Sequence, residues 1–171
     1  MAHTVKKENE MRKAARNFLE KIVIDIGVGR MGQTPGFEEK GLVQVTRDLA
    51  EITGQAPQVR RAKKSIAGFK LREGQIVGLR VTLRRDKMVD FFERLITIVL
   101  PRVRDFNGLD PKNIDQGGVL NTGIREQFVF PEISPEHSPI SFSLGINMVP
   151  KVKDRDASEA VFRKLGVPLK K

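Results

Sequence analysis

Apolar and polar residues alternate at the first regular element: Ile22, Ile24 and Ile26 are interleaved with Val23, Asp25 and Gly27. β-Branched residues at a period of two predict a strand there. The spacing then lengthens. Leu42, Val45, Leu49 and Ile52 recur at helical intervals and Gly54 follows as a stop, which predicts a helix over 37–53. Residues 57–64 and 75–85 return to strand patterning, joined by a basic loop that contains glycine. In the second of these, Val77, Leu79, Val81 and Leu83 share one face and Gly78, Arg80, Thr82 and Arg84 the other, so one face is core and the other cationic. Asp86 is placed to cap a helix whose Met88, Phe91, Phe92, Leu95 and Val99 form an apolar stripe ending near Pro101. Further strands are predicted over 124–130 and 140–149, separated by a loop marked by Pro131, Pro135 and Pro139. Asp154 opens a short last helix through Ala157, Ala160, Val161 and Leu165 that stops at Gly166 and Pro168. The order strand, helix, strand, strand, helix, strand, strand, helix predicts an α+β fold. Its form is a two-layer, largely antiparallel sheet with helices on one face and a polar, basic face left open.

Charge sharpens that picture. The 171 residues carry 31 Lys+Arg against 21 Asp+Glu, a formal net charge of +10. Between 60 and 87, Arg60, Arg61, Lys63, Lys64, Lys70, Arg72, Arg80, Arg84, Arg85 and Lys87 face only Glu73 and Asp86. A surplus this concentrated predicts a binding face for a polyanion rather than an ordinary solvated surface. Nucleic acid is the first candidate and an anionic membrane the second. An open basic sheet face suits RNA, whose backbone and splayed bases it can hold. The longest apolar run, near 95–100, is far short of the roughly 20 residues a bilayer crossing needs, and the start of the chain has no secretory apolar region. Glu8, Glu10 and Glu20 argue against an organellar transit peptide. A cytoplasmic protein with no membrane partner is therefore expected, built as one domain over 1–171 with a basic extension over 1–20 that is helical or partly flexible.

Catalytic signals are weak. Gly27, Gly29 and Gly32 spell G-x-G-x-x-G directly after a strand, the pattern of a dinucleotide fingerprint. Pro35 and Gly36 fall where its helix should be under way, and Asp48 and Glu51, the acids at the right distance, lie inside the next predicted helix. A glycine turn that lets backbone approach a partner is the better reading. The chain has no cysteine, which removes disulfides and thiolate sites. His3 and His137 are the only histidines, one at a terminus and one in a proline loop, so neither a histidine metal cluster nor a Ser-His-Asp arrangement is expected; both are expected at the surface. Asp105, Asp110 and Asp115 lie near glycines and a proline, where a carboxylate caps turns. No enzymatic activity, cofactor or metal is expected.

Longer motifs carry a resemblance. KIVIDIGVG at 21–29, ITGQAP at 52–57, RAKKSIAGFKLR at 61–72, GLRVTLRR at 78–85, FFERLITIVLPRVRD at 91–105, REQFVFPEI at 125–133 and the ending GVPLKK resemble, in order, the universal large-subunit ribosomal protein five family, bacterial type. The resemblance implies a structural ribosomal protein active in translation. Its implied partners are 5S rRNA, which it helps seat in the central protuberance of the large subunit, large-subunit rRNA, P-site tRNA, and a small-subunit head ribosomal protein met through an intersubunit bridge. It maps the 5S rRNA contact surface onto Asp25, Gln55, Phe69, Arg72 and Thr82, with Phe69 packing on a sugar or base or, alternatively, serving as a core aromatic. The loop over 63–70 resembles the segment that reaches tRNA, and 109–122 and 133–140 resemble the stretches facing the small subunit. Joined with the cationic stretch, the candidate RNA-binding set is Asp25, Gln55, Arg60, Arg61, Lys63, Lys64, Ser65, Phe69, Lys70, Arg72, Arg80, Thr82 and Arg84.

Three features depart from the family pattern. The family usually carries asparagine where this chain has Asp25; a carboxylate beside RNA must accept from a 2′-hydroxyl or share a cation. About twenty residues stand in place of a longer N-terminal helix. The stretch QGGVLN at 116–121 lacks the arginine and aromatic typical of the bridge loop.

Overall fold

A computed structural model describes residues 2–170 of the chain, with the side chains of residues 2–9 and of Gln33 excepted. His3, expected at the surface, thus has its side chain outside the described residues. The elements run α1 (Ala2–Phe18), β1 (Leu19–Gly27), α2 (Leu42–Thr53), β2 (Gln58–Arg61), β3 (Ile76–Leu83), α3 (Arg85–Arg94), β4 (Leu120–Ile124), β5 (Leu144–Pro150) and α4 (Arg155–Lys164). The strands form a five-stranded antiparallel sheet in the order β2-β3-β1-β5-β4. The fold is α+β, with the predicted order of elements preceded by the helix α1.

The chain divides into two compact units, one drawn from the start of the chain to Val23, Thr82–Gly123 and Ile146 onwards, the other from Ile24–Val81 and Ile124–Gly145. In the first unit, Phe18 and Phe162 meet edge to face with ring centroids 5.1 Å apart, so the end of α1 and the middle of α4 share one core. Ala15, Leu19, Phe91, Phe92 and Leu95 are buried in the same unit. Charge also ties α1 to α3. Arg12 donates to both Asp90 and Glu93, and Arg16 pairs with Asp86 at 3.0 Å. Hydrogen bonding to Asp90 first and Glu93 second raises the Arg12 guanidinium above its ordinary value. These pairs are largely exposed, so each is worth at most about 1 kcal/mol and weakens with salt.

In the second unit, Ile24, Ile26, Leu79 and Val81 of the sheet and Val45, Leu49 and Ile52 of α2 are all buried. Gly54 ends α2 as read from sequence: its φ is 63° and its N–H donates to the Ala50 carbonyl at 2.8 Å. The predicted helix over 37–53 comes in two parts, a wide turn at Phe37–Gly41 and then α2.

The helix predicted to end near Pro101 runs as α3 to Arg94, then through a wide turn at Leu95–Val99 to a last turn at Leu100–Arg102; several other boundaries differ from the sequence reading. The strand predicted over 57–64 stops at Arg61, where the register with β3 slips, and the chain then enters its loop. The strand predicted over 124–130 lies earlier, at Leu120–Ile124, and Gln127–Val129 form a tight turn. The strand predicted over 140–149 begins only at Leu144, because side chains rather than a neighbouring strand satisfy the backbone at 140–142. Gln127 Nε2 donates to the Ile140 carbonyl (2.8 Å), its Oε1 accepts from the Phe142 N–H (3.0 Å), and Gln44 Nε2 donates to the same Ile140 carbonyl (3.0 Å). Asp86 does not cap α3: Arg84 holds the cap position without a side-chain bond, and Asp86 sits in the first turn, where its charge complements the helix dipole.

Gln127 is fully buried, so its amide is a structural requirement. Gln127→Leu keeps the volume and strands the Phe142 N–H. It is expected to destabilise the protein by about 2–3 kcal/mol, read as a lowered urea midpoint with an unchanged slope.

Candidate nucleic-acid interface

Strand pairing creates the cationic face. Gln58 lies opposite Arg80, Val59 opposite Leu79 and Arg60 opposite Gly78. Residues directly opposite one another project from the same side of a sheet, so Gln58, Arg60 and Arg80 share a face. Thr82, two residues beyond Arg80, follows the same alternation and is half-buried. All four residues of β2 are exposed. The opposite side of β3 is closed: Leu79, Val81 and Leu83 are buried, as the period-two pattern predicts.

Beyond β2 the loop is an ordered hairpin. Ala62 N–H donates to the Gln75 carbonyl (2.8 Å) and Gly74 N–H to the Ala62 carbonyl (2.9 Å), which closes the stem. Ile66 and Leu71 exchange both backbone hydrogen bonds, at 2.9 and 3.1 Å, and a tight turn over Ala67–Phe69 makes the tip. Lys70 completes that tip in the left-handed region at φ 50°. Ser65 Oγ accepts from the Glu73 N–H at 2.9 Å, and Gln75 Oε1 accepts from the Arg72 N–H at 3.1 Å. The tip presents Phe69, 75% exposed, and Ile66, 47% exposed, and the same hairpin carries the exposed Lys63, Lys64, Lys70 and Arg72. Phe69 is therefore not a core aromatic. An exposed ring on a basic loop is of the type that can stack on a base or a sugar.

Not every predicted residue points outward alike. Arg61 Nη1 donates to the Gly74 carbonyl at 2.9 Å, so this arginine braces the loop as well as adding charge. Gln55 is half-buried just after the α2 stop, and its carbonyl accepts from Thr53 Oγ1 at 3.0 Å. Arg84 is exposed at the start of α3. Asp25 on β1 lies beside Arg80, with Arg80 Nε donating to Asp25 Oδ1 at 2.5 Å. Of the two ways a carboxylate can sit on such a face, this one shares a cation of its own chain.

Sequence reasoning missed two groups. Gln58 belongs on the face with Arg60 and Arg80, and the two-residue period of β2 is the signal that finds it. The second group is the polar cluster on α2: Asp48, fully buried, accepts from Gln44 Nε2 and Arg47 Nη2 at 3.2 Å each, and Arg47 also holds the His137 carbonyl at 2.7 Å. The partners of Asp48 are its neighbours on α2, but the cluster is anchored to the His137 carbonyl ninety residues away, which no local pattern reports.

Two of the three turn acids behave as read, while Asp105 lies beside Arg104 at 3.7 Å on the surface. Asp110 Oδ1 accepts from the Lys112 N–H (2.8 Å) and Asp115 Oδ1 from the Val119 N–H (2.9 Å). Among the described residues no group of three or more His, Cys, Asp or Glu could hold a metal, and no helix is long and apolar enough to cross a membrane. Gly27, Gly29 and Gly32 lead into a short turn at Met31–Gln33 and not into a phosphate-binding helix, which removes the dinucleotide reading.

An α+β protein that carries its cations on an edge hairpin and an ordered, aromatic-tipped loop is of the class built to face a polyanion. Residues 9–72 match the family described as Ribosomal protein L5, and residues 76–169 match the C-terminal part of the same ribosomal family. The relatives include proteins named Large ribosomal subunit protein uL5. That of Chlorobaculum tepidum is 46% identical over 153 residues, 90% of this chain and 81% of the relative. That of Rubrobacter xylanophilus is 47% identical over 152 residues, 89% of this chain and 82% of the relative. The chain belongs to the ribosomal protein L5 family, a family of structural, non-enzymatic ribosomal proteins.

Proposed function

We propose that this chain is a structural component of the large ribosomal subunit in the cytoplasm, binding 5S rRNA through the face of β2 and β3 and helping to seat it in the central protuberance. The same protein contacts large-subunit rRNA, P-site tRNA through the loop over 63–70, and a small-subunit head protein through the stretches 109–122 and 133–140. The observation that carries the reading is the placement of charge. Arg60 and Arg80 share the exposed face of the hairpin, and the loop that carries the exposed ring of Phe69 also carries the exposed Lys63, Lys64, Lys70 and Arg72. Cations meet phosphates and set orientation, while Thr82 and Gln55 are of the type that exchanges hydrogen bonds with 2′-hydroxyls.

The test is affinity for 5S rRNA across a salt series, with transfer RNA as competitor. If about six phosphates are neutralised, log affinity falls with log salt at a slope of roughly −4 to −5. Binding that outlasts the competitor supports a specific 5S rRNA partner. A flat salt response, or equal displacement by any RNA, counts against it.

A further inference from the structure

Among the described residues, the cationic face holds an internal ion pair between Asp25 and Arg80. Arg80 Nε donates to Asp25 Oδ1 at 2.5 Å, with the two side chains 43% and 34% exposed. No other hydrogen bond within the described residues engages the Arg80 side chain. A guanidinium has five donors in a fixed plane: one on Nε and two on each Nη. Anchoring the Nε edge fixes that plane and leaves the four Nη donors for a ligand. We propose that Asp25 is a positioning residue for RNA recognition: it holds Arg80 by Nε so that the Nη edge meets an RNA phosphate bidentately. This rests on the reading of the β2 and β3 face as the RNA surface.

The alternative use of the same carboxylate is simple neutralisation, in which Asp25 cancels one positive charge and repels the backbone of the RNA. The two make opposite predictions. A merely repulsive carboxylate weakens binding, so removing it tightens binding and makes the salt slope steeper. A positioning carboxylate strengthens binding despite its charge, because a flexible arginine loses more rotamer freedom on reaching its phosphate than one already held.

The experiment uses the full chain and 5S rRNA at fixed salt, with the fold of each variant checked by circular dichroism. Asp25→Ala is expected to weaken binding about fivefold, and Asp25→Asn, whose side-chain oxygen still accepts from Nε, to restore affinity to within about twofold of the unaltered protein. In an Arg80→Ala background, Asp25→Ala is expected to have no weakening effect. Tighter or unchanged binding by Asp25→Ala in the otherwise unaltered protein overturns the proposal, as does an equal loss in the Arg80→Ala background. Arg60→Ala separates this from failure of the underlying reading. If it too leaves affinity unchanged, the RNA does not lie on this face, and the assignment of the surface falls together with the role of Asp25.

Discussion

Replacing Lys63, Lys64, Lys70 and Arg72 together by glutamine is expected to lower RNA affinity by about a hundredfold to a thousandfold near 0.15 M salt. Each neutralised phosphate contributes a salt slope of about 0.7 to 0.9. Four contacts, referred to 1 M salt, therefore account for roughly two to three orders of magnitude at 0.15 M. The same variant should flatten the salt slope by about 3 to 4. All four side chains are exposed, and the bonds that order the loop are made by backbone, Arg61, Ser65 and Gln75, none of them altered, so the hairpin persists without the four charges. Titration of transfer RNA and of 5S rRNA against the variant separates the two proposed partners. A large loss for transfer RNA with a smaller loss for 5S rRNA places the loop tip on the former. Unchanged affinity for both removes the loop from the interface.

The features read correctly from sequence are those whose cause lies within a few residues. β1 and β3 announce themselves because Ile22, Ile24 and Ile26, and Leu79, Val81 and Leu83, bury one side at a period of two. The end of α2 follows from one glycine, and the start of α4 from Asp154, whose side chain accepts from the Ala157 N–H at 2.7 Å. The segments misread are those whose hydrogen bonds come from afar. Ile140 and Phe142 alternate as a strand would, yet their backbone groups are taken by Gln44 and Gln127. Gln127 itself sits among strand-forming neighbours, and nothing near it in sequence says that its amide is buried. The candidate site divides the same way. The density of lysine and arginine and the exposure of the loop are local properties and could be read directly. The pairing of Asp25 with Arg80 across 55 positions required the sheet.

The sheet in turn depends on one position without a side chain. A Cβ built on Gly78 would stand 2.6 Å from the Ile26 carbonyl oxygen, and that atom is backbone in the adjacent central strand, so it cannot swing away. Both strands would have to separate, against the backbone bond from Val28 N–H to the Val77 carbonyl at 3.0 Å. Gly78→Val is accordingly expected to destabilise the protein by about 3 kcal/mol, at the upper end for overpacking. The gain from restricting the unfolded chain, about 0.4–1 kcal/mol for a glycine replaced at a compatible site, does not offset this. Denaturant unfolding measures the effect directly, as a lower midpoint. The consequence reaches the RNA face, because Gly78 lies opposite Arg60 and two residues from Arg80. Separation of β1 from β3 would draw Asp25 away from Arg80, so a folded remnant of the variant should also bind 5S rRNA more weakly. Full stability with Gly78→Val would mean that β1 and β3 can part without loss, and that the close approach of these two strands is not what holds the pair in register.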